Sequence, residues 1–116
     1  MYPQPTVIEP IIFAQMPDEL QLLDRDSHMS RDIFRGRPLG SFLEGPSFDR
    51  DGNLYVVDIA HGRVLRVSEG GEFTVVVDYD GSPNGLKIHK DGRIFVADRQ
   101  NGIVEVDPVN GKVSPY

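Results

Sequence analysis

Asp51-Gly52-Asn53-Leu54-Tyr55-Val56-Val57-Asp58 and Asp91-Gly92-Arg93-Ile94-Phe95-Val96-Ala97-Asp98 decide the fold. Each is a tight Asp-Gly turn followed by a run of β-branched and aromatic residues ending in aspartate, the signature of a hairpin strand. The two copies stand 40 residues apart, at 51 and 91. At that shift Gly62 falls on Gly102 and Gly71 on Gly111. The remaining runs of each copy, at 45–49, 63–68 and 72–78 in the first, are likewise bounded by glycine-containing turns. Four short antiparallel strands recurring about every 40 residues is the sequence form of a propeller blade. The expected fold is therefore all-β: two four-stranded antiparallel blades, 44–83 and 84–116, of an incomplete β-propeller.

Residues 1–43 read as an irregular N-terminal arm. Val7-Ile8-Glu9-Pro10-Ile11-Ile12-Phe13 suggests one strand, and Pro10 would restrict it to a sheet edge. Pro17-Asp18-Glu19-Leu20-Gln21-Leu22-Leu23 suggests a helical turn or two. Propellers close with roughly four to eight blades, and each blade buries its faces against neighbours. Two blades leave two apolar faces open, so the chain reads as a truncated piece or as one that self-associates through those faces.

Composition narrows the function. The chain has 116 residues, 39% hydrophobic and 26% charged, with net charge −6. An acidic surface disfavours nucleic acid and anionic membranes as partners, since phosphate binding needs Lys and Arg. With no cysteine, disulfides, thiolate metal sites and cysteine nucleophiles are excluded. The first residues carry no basic, apolar leader, and no run reaches the roughly 18 apolar residues of a membrane span. The expectation is a soluble cytoplasmic protein.

The 40-residue shift also sets Glu44 on Asn84, each before a glycine at the start of its repeat's first strand. In a propeller that strand lines the central channel, so both residues should face one channel mouth. A carboxylate and an amide carbonyl are hard oxygen donors suited to a divalent cation; ordinary turn chemistry explains the same residues without a ligand. Asp49-Arg50-Asp51-Gly52-Asn53 begins like a calcium loop, but the twelfth position, which needs a bidentate Glu, is Ala60. Asp58 and Asp98 recur at strand ends and fit a structural role, such as bonding turn amides. His28, His61 and His89 show no metal spacing, and exposed or supporting roles are expected of them. Ser41, Ser47 and Ser82 lack a nucleophile elbow. Lys87-Ile88-His89-Lys90 with Arg93 reads as a solvated edge. No catalytic residue stands out.

Ser41-Phe42-Leu43-Glu44-Gly45-Pro46-Ser47-Phe48 with the first Asp-Gly strand, and Ser82-Pro83-Asn84-Gly85-Leu86 with the second, resemble the senescence marker protein/gluconolactonase/luciferin-regenerating enzyme family. The resemblance runs over residues 41–116. It implies a six-bladed propeller with one divalent cation, Ca²⁺ or Zn²⁺, in its channel and a lactone or similar cyclic ester as substrate. It maps a metal-ligand role onto Glu44. Asn84 has the local motif of a later ligand but comes one repeat early, so it is carried over as a channel-lining, substrate-facing candidate. The remaining ligands and the base would come from later blades, so the cation site is incomplete and the chain alone should be inactive. The competing reading is a non-enzymatic propeller that binds a partner on its channel face.

Overall fold

The computed structural model describes residues 1–116. It contains two four-stranded antiparallel sheets, each in sequential strand order. The first comprises β1 (Leu43–Phe48), β2 (Leu54–Asp58), β3 (Arg63–Val67) and β4 (Phe73–Asp78). The second comprises β5 (Pro83–Ile88), β6 (Ile94–Asp98), β7 (Gly102–Val106) and β8 (Val113–Pro115). Every connection is a short turn, as the Asp-Gly and Gly-Gly spacing requires. The two sheets pack face to face and do not close into a barrel.

The constant 40-residue shift holds for the first two strands and fails at the third. In the first sheet Asp58 pairs with Arg63; in the second Asp98 pairs with Gly102. The first β2–β3 turn is thus one residue longer. Gly62 sits within that turn at φ +66°, whereas Gly102 opens β7. Because side chains alternate with period two, the faces must be assigned from strand register rather than from the shift.

That register gives each sheet a back and a front. The front of the first sheet, Tyr55, Val57 and Val64, packs on the back of the second, Leu86, Ile94, Val96, Val104 and Val106, forming the main core. The back of the first sheet, Val56 and Leu65 with Leu54 and Phe73, is covered by Met16 and Leu20 of the arm. On the front of the second sheet Ala97 and Ile103 are exposed, while Phe95 is half-buried with the Tyr116 ring edge-on to it at 4.9 Å.

The arm departs from expectation in two places. Residues 7–13 form no strand; their apolar side chains are exposed, and no sheet edge of this chain receives them. The helical turn at 17–23 shrinks to a 3₁₀ turn, Asp18–Leu20. A short helix, α1 (His28–Asp32), also forms, capped by Ser27, whose Oγ accepts from the Ser30 N–H at 3.1 Å.

Candidate functional site

The two first strands, β1 and β5, lie where the sheets approach most closely. Each carries a bulge near its start, one position apart in the 40-residue alignment. In β1, Glu44 pairs with Val57 and Ser47 with Tyr55, so Gly45 and Pro46 together oppose Val56. In β5, Pro83 pairs with Asp98 and Gly85 with Ala97, leaving Asn84 as the extra residue. Bulges bend a strand and re-aim its side chains. Gly45 makes the first one possible: its φ is +58°, and a Cβ there would lie 2.7 Å from the Leu86 N and 2.9 Å from the Asn84 O. Only glycine tolerates both the backbone angle and the contact.

The outcome is that Glu44 and Asn84 line one cleft of about 200 Å³, with Ser82 and Arg99 beside them and Met29 and Ile33 from the α1 region over one side. Arg99 is tied to that helix through Asp32 at 3.2 Å. The sequence placed Glu44 and Asn84 together, and the fold does so; it gave no sign of the helical roof.

Asp58 and Asp98 hold the two bulges in place. The Phe42 N–H donates to Asp58 Oδ1 at 3.0 Å, and the Ser82 N–H donates to Asp98 Oδ2 at 3.0 Å. Each aspartate thereby fixes the residue two positions ahead of Glu44 or Asn84. Asp98 also accepts from the turn amides of Gln100 and Asn101 and from the Tyr79 hydroxyl. Burial works to raise its pKa, but these donors outweigh it and hold the carboxyl below its usual range. The same contacts act oppositely on Tyr79: burial first, then the bond to Asp98, push its phenol well above the ordinary value.

Asp58 solves the charge problem differently. It is fully buried and pairs with Arg63, itself 2% exposed, at 2.6 Å. Arg63 also donates to the Leu20 carbonyl at 2.7 Å and the Ser41 hydroxyl at 2.9 Å. It is thus a latch joining the arm to the first sheet. Sequence reasoning passed over it. The available signal was a charge at a back-face position of an otherwise apolar strand, five residues after an aspartate.

A second cleft, about 390 Å³ and polar, lies between the arm and the end of the first sheet. Arg25 grips Asp78 with both guanidinium nitrogens at 2.5 and 2.6 Å. That bond leads the effects lowering the Asp78 pKa. His28 bonds Asp80 at 2.8 Å, and Arg31 pairs with Asp26. Of the exposed or supporting roles open to it, His61 does not take the exposed one: it lines the same cleft, is 3% exposed, and neither ring nitrogen has a hydrogen-bond partner. Burial depresses its pKa, and the nearby Arg63 and Arg25 add to that against the pull of Asp58.

For a divalent cation, the chain offers two hard oxygen donors at the bulge cleft, Glu44 and Asn84. No group of three or more His, Asp or Glu side chains is arranged around a common point. A calcium-type site takes about six to eight oxygens, more than these two side chains supply.

No family model matches the chain. Curated proteins do. Lactonase drp35 of Staphylococcus aureus strain bovine RF122 / ET3-1 is 42% identical over 59 residues, covering 49% of this chain and 18% of that protein. The S. aureus USA300 protein of the same name is 41% identical over the same span. Its Staphylococcus epidermidis counterpart is 34% identical. The match thus spans less than a fifth of the length of these relatives. This chain is similar, over about half its length, to part of proteins named as lactonases.

Proposed function

We propose that the two sheets are consecutive blades of a lactonase-type, six-bladed β-propeller hydrolase, with Glu44 as one ligand of a channel cation and Asn84 as a substrate-facing channel residue. The observation that carries this reading is that the starts of β1 and β5, both bulged, bring the two oxygen donors into one cleft. The resemblance to proteins named lactonase drp35 supports the same chemistry. A bound divalent cation would act as a Lewis acid toward a lactone carbonyl.

The chain's own residues supply binding and orientation. Glu44 offers a negative oxygen at the channel mouth. Asn84 offers an amide able both to accept and to donate a hydrogen bond. Asp58 and Asp98 hold the backbone ahead of each. Two oxygen donors fall short of the roughly six to eight that a calcium-type site takes, so the chain alone is expected to lack lactonase activity.

Two measurements on the purified chain test the reading. Incubation with gluconolactone and Ca²⁺ or Zn²⁺ should give no turnover above background; metal-dependent hydrolysis abolished by Glu44→Gln would overturn the expectation of inactivity. In an amide NMR titration, Mn²⁺, a cation that prefers oxygen ligands, should broaden signals around residues 43–46 and 83–86. Broadening there that persists in Glu44→Gln would remove the ligand role.

A further inference from the structure

The arm between Leu20 and Ser41 is clamped at its base and held loosely along its length. At the base, Arg63 donates to both the Leu20 carbonyl and the Ser41 hydroxyl, and the Ser41 N–H donates to Gln21 Oε1 at 3.2 Å. Beyond the base, no side chain of residues 21–40 joins either apolar cluster. The segment is tied down by ion pairs at the surface: Arg25 to Asp78, His28 to Asp80 and Asp32 to Arg99. Such pairs hold weakly. Non-glycine residues stand in the left-handed region near both ends, Leu22 at φ 51° and Arg35 at φ 55°, a conformation that side chains rarely adopt. A loop pinned at its ends, with no core contact of its own, opens locally before the fold does.

His61 lies under this loop with both ring nitrogens sealed from solvent and unbonded. The Leu39 backbone lies beside the ring but makes no hydrogen bond of normal geometry with it. The surrounding charges leave a proton on the ring without a partner. Asp58 on β2 is taken by Arg63 and the Phe42 N–H. Asp78 on β4 is gripped by Arg25 of the arm. Arg63 and Arg25 both repel a charged ring. Across the cleft, Arg31 pairs with Asp26, and His28 is satisfied as it stands: its Nδ1 accepts from Arg31, and its Nε2 bonds Asp80. An imidazolium has two N–H donors and no acceptor. It must therefore reach water or take Asp78 from Arg25, and Asp78 is the arm's own tie to the sheet.

We propose that protonation of His61 releases residues 22–40 as a lid hinged on the Arg63 clamp, opening the Glu44–Asn84 cleft that Met29 and Ile33 roof. Burial lowers the His61 pKa from 6.5. The lid is therefore closed above about pH 6.5 and loosens as the pH falls below it. The device governs access to the cleft and holds whatever the cleft binds.

Hydrogen exchange on the full chain, followed residue by residue by NMR, tests this. A five-residue helix has no stability of its own. The amides of Ser30, Arg31 and Gly36, bonded to Ser27 Oγ, Ser27 O and Ser30 O, should therefore exchange when the lid lifts. At pH 7.5 they should be protected, though less than the amides of β2 and β3. Corrected for the intrinsic rate, their protection should fall by about three- to tenfold between pH 7.5 and pH 5.5, as a freed imidazole takes up its proton. His61→Leu should hold the change within about twofold, and so should His61→Gln, which keeps a polar side chain that does not titrate. His28→Gln should leave it intact. Lid amides unprotected at pH 7.5, lid amides as protected as those of β2 and β3, a fall smaller than about twofold, a fall that survives in either His61 variant, or one lost in His28→Gln would each overturn the proposal.

Discussion

Replacing Arg63 by leucine should release the arm and cost more stability than any surface change in this chain. Arg63 donates to Asp58 Oδ2 from both Nε (3.2 Å) and a terminal nitrogen (2.6 Å), and to Leu20 O and Ser41 Oγ. Leucine keeps apolar bulk but removes all four bonds. Asp58 is then left fully buried with the Phe42 amide as its one remaining donor. Stranding one partner of a buried pair typically costs about 3–5 kcal/mol, a large share of the roughly 5–15 kcal/mol that stabilises a domain. Urea unfolding followed by circular dichroism should show a loss of about 3 kcal/mol or more. The double variant Asp58→Asn/Arg63→Leu should recover much of it, because removing both charges leaves neither unpaired. Trypsin should cut the single variant faster after Arg25 and Arg31, since the Leu20 and Ser41 tethers are gone. A loss below about 1 kcal/mol, or a double variant no better than the single one, would refute the assignment of Arg63 as a buried latch.

His61 makes stability pH-dependent. Its folded pKa lies below the ordinary histidine value of 6.5, so the unfolded chain takes up its proton first; stability from the neutral ring is full above about pH 6.5 and falls as the pH drops below it. His61→Leu should flatten the difference between unfolding free energies at pH 7 and pH 5, and an unchanged difference would exclude the buried ring as its source. Gly45→Ala should destabilise by more than about 2 kcal/mol, combining a positive-φ penalty of about 1–2 kcal/mol with a Cβ forced against the β5 backbone. Gly52→Ala is the control, having φ +84° but nothing within 4 Å; equal losses in the two by thermal unfolding would remove the close approach as a cause.

Local signals carried most of the sheet architecture. Asp-Gly turns and alternating β-branched runs marked the strands because hairpin pairing is a short-range matter, and β2 spans Leu54–Asp58 as the sequence suggested. Glu44 and Asn84 were legible because a repeat transfers position: what stands at one strand start stands at the other. The features that were missed depend on contacts between distant segments. Arg63 is intelligible only once Leu20 and Ser41 are beside it. His61 is buried because the arm folds over a turn that looks exposed by composition. The apolar run at 7–13 has strand-like residues, but a strand needs an edge to pair with, and none of this chain's edges receives it. The one-residue difference between the β2–β3 turns escaped a constant shift, because the matching glycines Gly62 and Gly102 occupy different structural positions.

The arm links the stability of the fold to the geometry of the candidate site. Between Met16 and Asp32 it covers the back of the first sheet, accepts the Arg63 latch at Leu20, and roofs the Glu44–Asn84 cleft with α1. Arg63 holds Asp58, and Asp58 holds the Phe42 amide two residues before Glu44. The second repeat achieves the same end without the arm, since Asp98 is satisfied by turn amides and Tyr79. Loss of the arm should therefore act unequally on the two donors. Glu44 would lose the support that runs through Arg63, while Asn84 would keep its own, so disturbance of the cleft is expected to begin at the carboxylate side.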